Sequence, residues 1–230
     1  MSDAVAELKR LSAEAALAEV RSGTVIGLGT GSTAAFVISG LAERLRDGRL
    51  SGVRAVPTSE ATARLARENG IELVDLEPAG IDLAIDGCDE VDPQLRLIKG
   101  LGGALTREKL VALEAKRFLV VADGSKQVSR LGEKAPVPVE VVPFGLAATL
   151  ARLEGLAGTC TVRLDGAGQP VRTDNGNLVV DLRPAAGFVP EDLARQLKLT
   201  AGVVEHGLFL GMASEALLAD EGGIRKVTRA

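Results

Sequence analysis

The chain is 230 residues long, 46% hydrophobic and 25% charged, with a formal net charge of −4. That is enough apolar residue to bury a sizeable core in one large or two small soluble domains without disulfides. The slight acidity excludes a global basic field drawing the chain to nucleic acid or an anionic membrane, and an aromatic content of 2%, all of it Phe, excludes stacking platforms for bases or sugar rings.

Cys88 and Cys160 form no CxxC pair, and His206 is the single histidine, so neither a zinc site nor a disulfide framework is expected. A reducing, cytoplasmic setting is the expectation. The first twenty residues carry acids and lysines among the apolar positions, and no apolar run approaches ~18 residues, so neither a signal peptide nor a membrane span is expected.

In chain order, Val5, Leu8, Leu11, Ala15, Ala18 and Val20 predict an amphipathic helix over 3–21, ended by Gly23. Residues 24–29 form an apolar run that enters a glycine turn and then a helical pattern through Phe36, Leu41 and Leu45. The unit repeats as a strand over 53–57 and a helix over 60–68 opened by Thr58 and Ser59. Two further apolar runs follow at 81–85 and 118–122, the first ending in an acidic loop and the second preceded by a helix around 106–115. This alternation predicts an α/β fold, a Rossmann-like, mostly parallel sheet flanked by helices, with ligands gathering at the carboxyl ends of the strands.

Near residue 130 the texture changes, with Pro136, Pro138 and Pro143 punctuating a β-like run. Beyond it we read strand 137–142, helix 145–154, strand 159–164, a turn at 174–176, strand 177–182, helix 190–198 and strand 202–205. The order βαββαβ predicts a smaller α+β, ferredoxin-like domain. Residues 208–230 are expected to return to the first domain, so the expected organisation is 1–129 plus 206–230, and 130–205. There is no internal repeat.

Four motifs fall at expected strand ends. GLGTGSTA at 27–34 joins a strand to a helix, where free N–H groups with the Ser32 and Thr33 hydroxyls make an anion cradle. Residues 29–34 also fit GxGxxA, but the next strand ends in Val56-Pro57-Thr58-Ser59 rather than the acid a dinucleotide ribose requires, so a single phosphate is the better reading. A bare glycine turn is the alternative. Residues 86–92, DGCDEVD, place four acids in seven positions, which suits an acid–base site, a hard-cation loop or a plain turn. In KGLGGALTREK at 99–109 the glycines let the backbone close over a ligand; Lys99 can neutralise an oxyanion and Glu108 can move a proton, although a glutamate there also fits a solvated helix face. DGSK at 123–126 offers Lys126 to a phosphate, or forms an ordinary turn. Cys88 reads as a small residue filling the acidic turn and His206 as structural.

Taken in order, these four motifs resemble ribose-5-phosphate isomerase, type A, and the likeness extends through PVPVEVVPF at 136–144, TDNGN at 173–177 and GVVEHGLF at 202–209. It implies interconversion of D-ribose 5-phosphate and D-ribulose 5-phosphate in the non-oxidative pentose phosphate pathway, with no metal and no cofactor. It further implies that Glu108 is the base moving a proton between C2 and C1 through an enediolate, and that Asp86, Asp89 and Lys99 handle the sugar oxygens and the developing charge. The implied substrate site comprises Thr30, Gly31, Ser32, Thr33, Asp86, Gly87, Cys88, Asp89, Lys99, Gly100, Leu101, Gly102 and Lys126. The family's DGAD stands here as DGCD and its KGGG as KGLG; neither change removes a charged group, and Leu101 is expected to point away from the sugar. The resemblance also implies a homodimer or larger homo-oligomer, with a sugar phosphate as the small-molecule partner. A non-catalytic sugar-phosphate sensor and an amino-sugar phosphate deaminase are the rival readings.

Overall fold

Residues 25–28, 83–86 and 118–123 are nearly unbroken apolar runs, and such runs are stable as strands only where both faces of a sheet are covered. In the computed structural model, which describes residues 3–228, both faces are covered. The elements are α1 (Asp3–Leu17), β1 (Val25–Leu28), α2 (Ser32–Arg46), β2 (Arg54–Pro57), α3 (Glu60–Glu68), β3 (Glu72–Leu73), β4 (Leu83–Asp86), β5 (Glu90–Val91), β6 (Leu97–Ile98), α4 (Leu105–Leu113) and β7 (Phe118–Asp123). A short 3-10 turn at Gly124–Lys126 leads to β8 (Val137–Val141), α5 (Leu146–Ala157), β9 (Gly158–Val162), β10 (Leu178–Pro184), α6 (Pro190–Leu199), β11 (Val203–His206), β12 (Leu208–Phe209), β13 (Glu215–Asp220) and β14 (Gly223–Thr228). Residues 1–2 and 229–230, the outer limits of the first expected domain, lie outside the described residues.

Seven strands form one sheet in the order β14-β13-β7-β4-β1-β2-β3, parallel throughout except for the β13–β14 hairpin at its edge. Alternate side chains face opposite layers. Ile26, Leu28, Leu83, Ile85, Leu119 and Val121 pack with residues of α1 and α2, whereas Ala84, Phe118, Val120 and Ala122 pack with Val111 and Ala112 of α4 and with Phe209. From β1 the chain moves outward to β2 and β3, then crosses to β4 on the other side of β1. Strand order therefore reverses between β1 and β4, which opens a crevice at their carboxyl ends.

The βαββαβ segment folds as an antiparallel sheet in the order β11-β8-β10-β9. Val137, Val139 and Val141 of β8 point into a cluster with Leu153 of α5 and Leu193 and Leu197 of α6. By the same alternation Glu140 faces the other way, where its carboxylate meets Thr106 of α4.

Several bounds differ from the sequence expectation, the first helix ending at Leu17 rather than near residue 21, and two differences bear on the site. The run at 81–85 begins as a strand only at Leu83, Ile81 making an isolated bridge to Ala115. The acidic segment is not all loop, because Glu90–Val91 pairs with Leu97–Ile98, and Leu208–Phe209 completes a three-stranded sheet. Two-residue strands show no periodicity of their own, so only their long-range partners define them. No described helix is long and apolar enough to cross a membrane.

Candidate active site

The site begins where β1 ends against β4. A Cβ at Gly29 would lie 2.0 Å from Asp86 Oδ1, so only glycine lets the first loop rest on that carboxylate, to which the Thr30 N–H donates at 3.1 Å. The Thr30 hydroxyl is held among Thr58, Ser59 and Thr62 at 2.7, 2.9 and 3.2 Å. Gly31 then opens α2, whose N-terminus has no side-chain cap, leaving the first-turn N–H groups for an anion. Lys9 of α1 donates to Ser32 Oγ at 2.9 Å.

Asp86 at the end of β4 is buried, and so is Lys99, which follows β6. The Lys99 ammonium lies 3.0 Å from Asp86 Oδ2 and 3.4 Å from Glu108 Oε2, and it donates to the Gly87 carbonyl at 2.6 Å. Burial opposes its charge, but Asp86 and Glu108 more than offset this and hold Lys99 above the ordinary lysine range. Burial pushes Glu108 up to about 8; Lys99 works against that rise, and the negative Asp86 and Asp89 add to it. A carboxylate poised near neutrality in a crevice is suited to taking and returning a proton.

The resulting cavity, about 160 Å³, is lined by Lys9, by residues 30–33 and 87–89, by Lys99, Gly100, Gly102 and Glu108, and by Ala122, Asp123 and Lys126. The lining thus brings together Thr30, Gly31, Ser32, Thr33, Gly87, Cys88, Asp89, Lys99, Gly100, Gly102, Glu108 and Lys126 from the sequence reading. Asp86 does not line it but lies against Lys99. Leu101 does not line it either: its side chain is exposed, while its N–H donates to Asp89 Oδ2 at 2.9 Å. Gly100, at φ 103°, makes this turn, and a Cβ there would meet the Leu105 Cβ at 2.6 Å.

The four acids of 86–92 divide. Asp86 and Asp89 serve the cavity, whereas Glu90 accepts from the N–H groups of Gly132, Lys134 and Ala135 at 2.5–2.7 Å and Asp92 pairs with Arg96 at 2.6 Å. Among the described residues no group of three or more His, Cys, Asp or Glu side chains is arranged to hold a metal ion. Asp123 accepts from the Ser125 N–H at 3.1 Å, closing the turn that presents Lys126. Burial pushes the Cys88 thiol up to about 12, so it is a neutral lining group. His206 stands outside the cavity lining, 3.2 Å from the Lys109 ammonium, and burial with Lys109 lowers it to about 4.

Sequence reasoning missed Lys9, which meets the cradle across 23 positions and has no local motif to mark it. It also missed the hydroxyl cluster behind Thr30, where the only signal was the Thr58-Ser59 pair standing in place of a ribose-binding acid.

Fold and site define an α/β protein of the enzyme class that sets an anion cradle and a proton-transferring carboxylate together at a strand-order switch. Residues 54–223 match the family described as ribose 5-phosphate isomerase A (phosphoriboisomerase A). The chain is 56% identical over 217 residues to the ribose-5-phosphate isomerase A of Roseiflexus sp. (strain RS-1), covering 94% of this chain and 93% of that protein. It is 50% identical over 226 residues to that of Deinococcus radiodurans, covering 97% and 100%. Among solved structures it superposes with a TM-score of 0.94 and 38% identity, over the full length of both chains, on a D-ribose-5-phosphate isomerase in complex with phospho-erythronic acid. On the ribose 5-phosphate isomerase from Plasmodium falciparum the TM-score is 0.93 at 37% identity, over 97% of this chain and 99% of that one. The chain belongs to the ribose 5-phosphate isomerase A family.

Proposed function

We propose that the chain interconverts D-ribose 5-phosphate and D-ribulose 5-phosphate, a step of the non-oxidative pentose phosphate pathway, through an enediolate with Glu108 as the base. The observation that carries this reading is the buried Glu108 carboxylate, 3.4 Å from the Lys99 ammonium, in a cavity that also holds the N-terminus of α2 with Lys9 and Lys126.

The helix N-terminus and the two lysines bind the phosphate, and that remote binding energy orients the open-chain sugar. Glu108 takes the C2 proton; the C–H electron pair forms the C1=C2 double bond, and the carbonyl pair moves onto O1. Lys99 faces that oxyanion, held in place by Asp86 and by the Gly87 carbonyl. Asp89 accepts from the sugar hydroxyls and carries the proton from O2 to O1. Glu108 then returns its proton to C1 as the C2 carbonyl forms, so one carboxylate serves both half-steps.

In this reading residues 1–129 with 206–230 form the catalytic unit and 130–205 the smaller one, and the chain works in the cytoplasm as a homodimer or larger homo-oligomer. Light scattering on the purified protein measures the oligomeric state.

The decisive experiment is proton NMR of ribose 5-phosphate in D2O with chelator present. Ribulose 5-phosphate forming with deuterium at the migrating position is the expected result. Binding without conversion or exchange overturns the assignment in favour of a sugar-phosphate sensor.

A further inference from the structure

Glu140 lies in β8, a central strand of the four-stranded sheet, and is fully buried. Its carboxylate accepts four hydrogen bonds, from the Thr106 hydroxyl, from the Thr173 hydroxyl at 2.8 Å, and from the side-chain amides of Asn175 and Asn177 at 3.2 and 2.8 Å. All four donors are neutral. Among the described residues no ammonium, guanidinium or imidazole group pairs with it.

Burying a carboxylate without a cation is costly, and stability alone is served as well by an apolar residue in a sheet. What these bonds accomplish is geometric. Thr106 is the second residue of α4, a helix whose N-cap, Ala104, supplies no side-chain hydrogen bond. Glu108 follows two positions later. The Glu140–Thr106 bond therefore stands where a capping bond is missing, in the turn that carries the proposed base.

The residues on either side of Glu108 are tied to the same region. Arg107 donates to Asn175 Oδ1 at 3.0 Å, and Asn175 in turn donates to Glu140. Lys109 donates to the His206 carbonyl at 2.5 Å and pairs with Glu205 at 2.7 Å, both at the end of β11. Residues 106, 107 and 109 are thus anchored outside the seven-stranded sheet, and Glu108 alone of these four turns into the cavity.

We infer that Glu140 is a positioning residue for the isomerisation: through Thr106 and the 173–177 turn it fixes the first turn of α4, and so the distance between Glu108 and Lys99. This rests on the reading of Glu108 as the base, and it assigns the 173–177 segment a task in catalysis without contact with the sugar.

The test is steady-state isomerisation of ribose 5-phosphate by Glu140→Gln, Thr106→Val and Thr106→Ser, with folded fraction measured by far-ultraviolet circular dichroism and thermal unfolding. Glutamine keeps the size but turns an N–H pair toward donors. Misplacing a catalytic group by about 1 Å costs on the order of 100-fold, so kcat is expected to fall by about 10- to 100-fold in Glu140→Gln and Thr106→Val, with KM within about twofold. The Glu140→Gln/Thr106→Val double variant is expected to lose less than the product of the two single losses, because both substitutions remove the Thr106–Glu140 bond. Thr106→Ser, which keeps the hydroxyl, is expected to restore kcat to near the parent value.

A Glu140→Gln protein that is fully folded with unchanged kcat overturns the inference, as does a loss of kcat that only tracks the folded fraction. If Glu140→Gln does not fold, Thr106→Val against Thr106→Ser decides alone: equal kcat values overturn the inference. Full activity in Glu108→Gln, run in parallel, instead overturns the underlying reading of the base.

Discussion

The Lys99 ammonium lies 3.4 Å from the Glu108 carboxylate, with both side chains at most 5% exposed. Both are largely withdrawn from bulk solvent, so each charge depends on the other and on Asp86 beside Lys99. That dependence makes both catalysis and stability sensitive to pH and to single substitutions.

For Glu108 the reaction requires the ionised form, and burial pushes its pKa to about 8. The ratio kcat/KM, which reports the free enzyme, is expected to rise tenfold per pH unit below that value and level off above it. Glu108→Gln is expected to keep KM near the parent value and lose about 10²- to 10⁴-fold in kcat. A pH-independent kcat/KM between 6 and 9 contradicts the assignment.

Stability is expected to move in the opposite direction. From the ordinary glutamate value of 4.5 up to about 8 the folded chain keeps a proton on Glu108 that the unfolded chain has released. The protonated group's contribution is complete below 4.5 and is lost as pH rises through 8. Thermal melts should show Glu108→Gln matching the parent near pH 5 and exceeding it by several degrees above pH 8. A parent protein that melts higher at pH 9 than its glutamine variant counts against this account.

Removal of Lys99 leaves Asp86 buried and unpaired. Lys99→Ala is expected to lose about 10²- to 10³-fold in kcat and about 3–5 kcal/mol of stability, read from denaturant unfolding. Adding Asp86→Asn removes the stranded charge and is expected to restore much of the stability but none of the turnover. Recovered turnover in the double variant removes Lys99 from the mechanism.

Lys9 and Lys126 are expected to act on binding. Lys9→Ala and Lys126→Ala should each raise KM for ribose 5-phosphate on the order of tenfold, the worth of one charge-assisted hydrogen bond, and leave kcat within a few fold. With unphosphorylated ribose as substrate the variants and the parent should be equally poor. An unequal loss with ribose places these lysines at the carbonyl end instead.

At Gly29 the argument is steric. A Cβ 2.0 Å from Asp86 Oδ1 cannot be accommodated without moving β1 or β4, so Gly29→Ala is expected to lower Tm by several degrees and kcat by at least about tenfold, since the same carboxylate holds Lys99. A crystal structure of the variant with the Asp86–Lys99 contact intact contradicts this.

Much of this was legible before any fold was known. The apolar runs of β1, β4 and β7 and the glycine loop before α2 follow from local chemistry, because strand periodicity and helix initiation depend on neighbouring residues. Lys99 and Glu108 could be named as candidates because glycines and charges clustered at strand ends, while Asp86 and Asp89 were singled out among the acids only by the family resemblance. The long-range partners could not be named. Lys9 reaches Ser32, Glu140 reaches Thr106 and Asp174 reaches the Glu60 N–H across 114 positions, and no local pattern encodes such separations. The division of 86–92 was equally hidden, since Asp86, Asp89, Glu90 and Asp92 are chemically alike. Which carboxylate meets a lysine in a cavity and which ties down a loop is decided by the strand on which each falls and by what the tertiary fold packs against it.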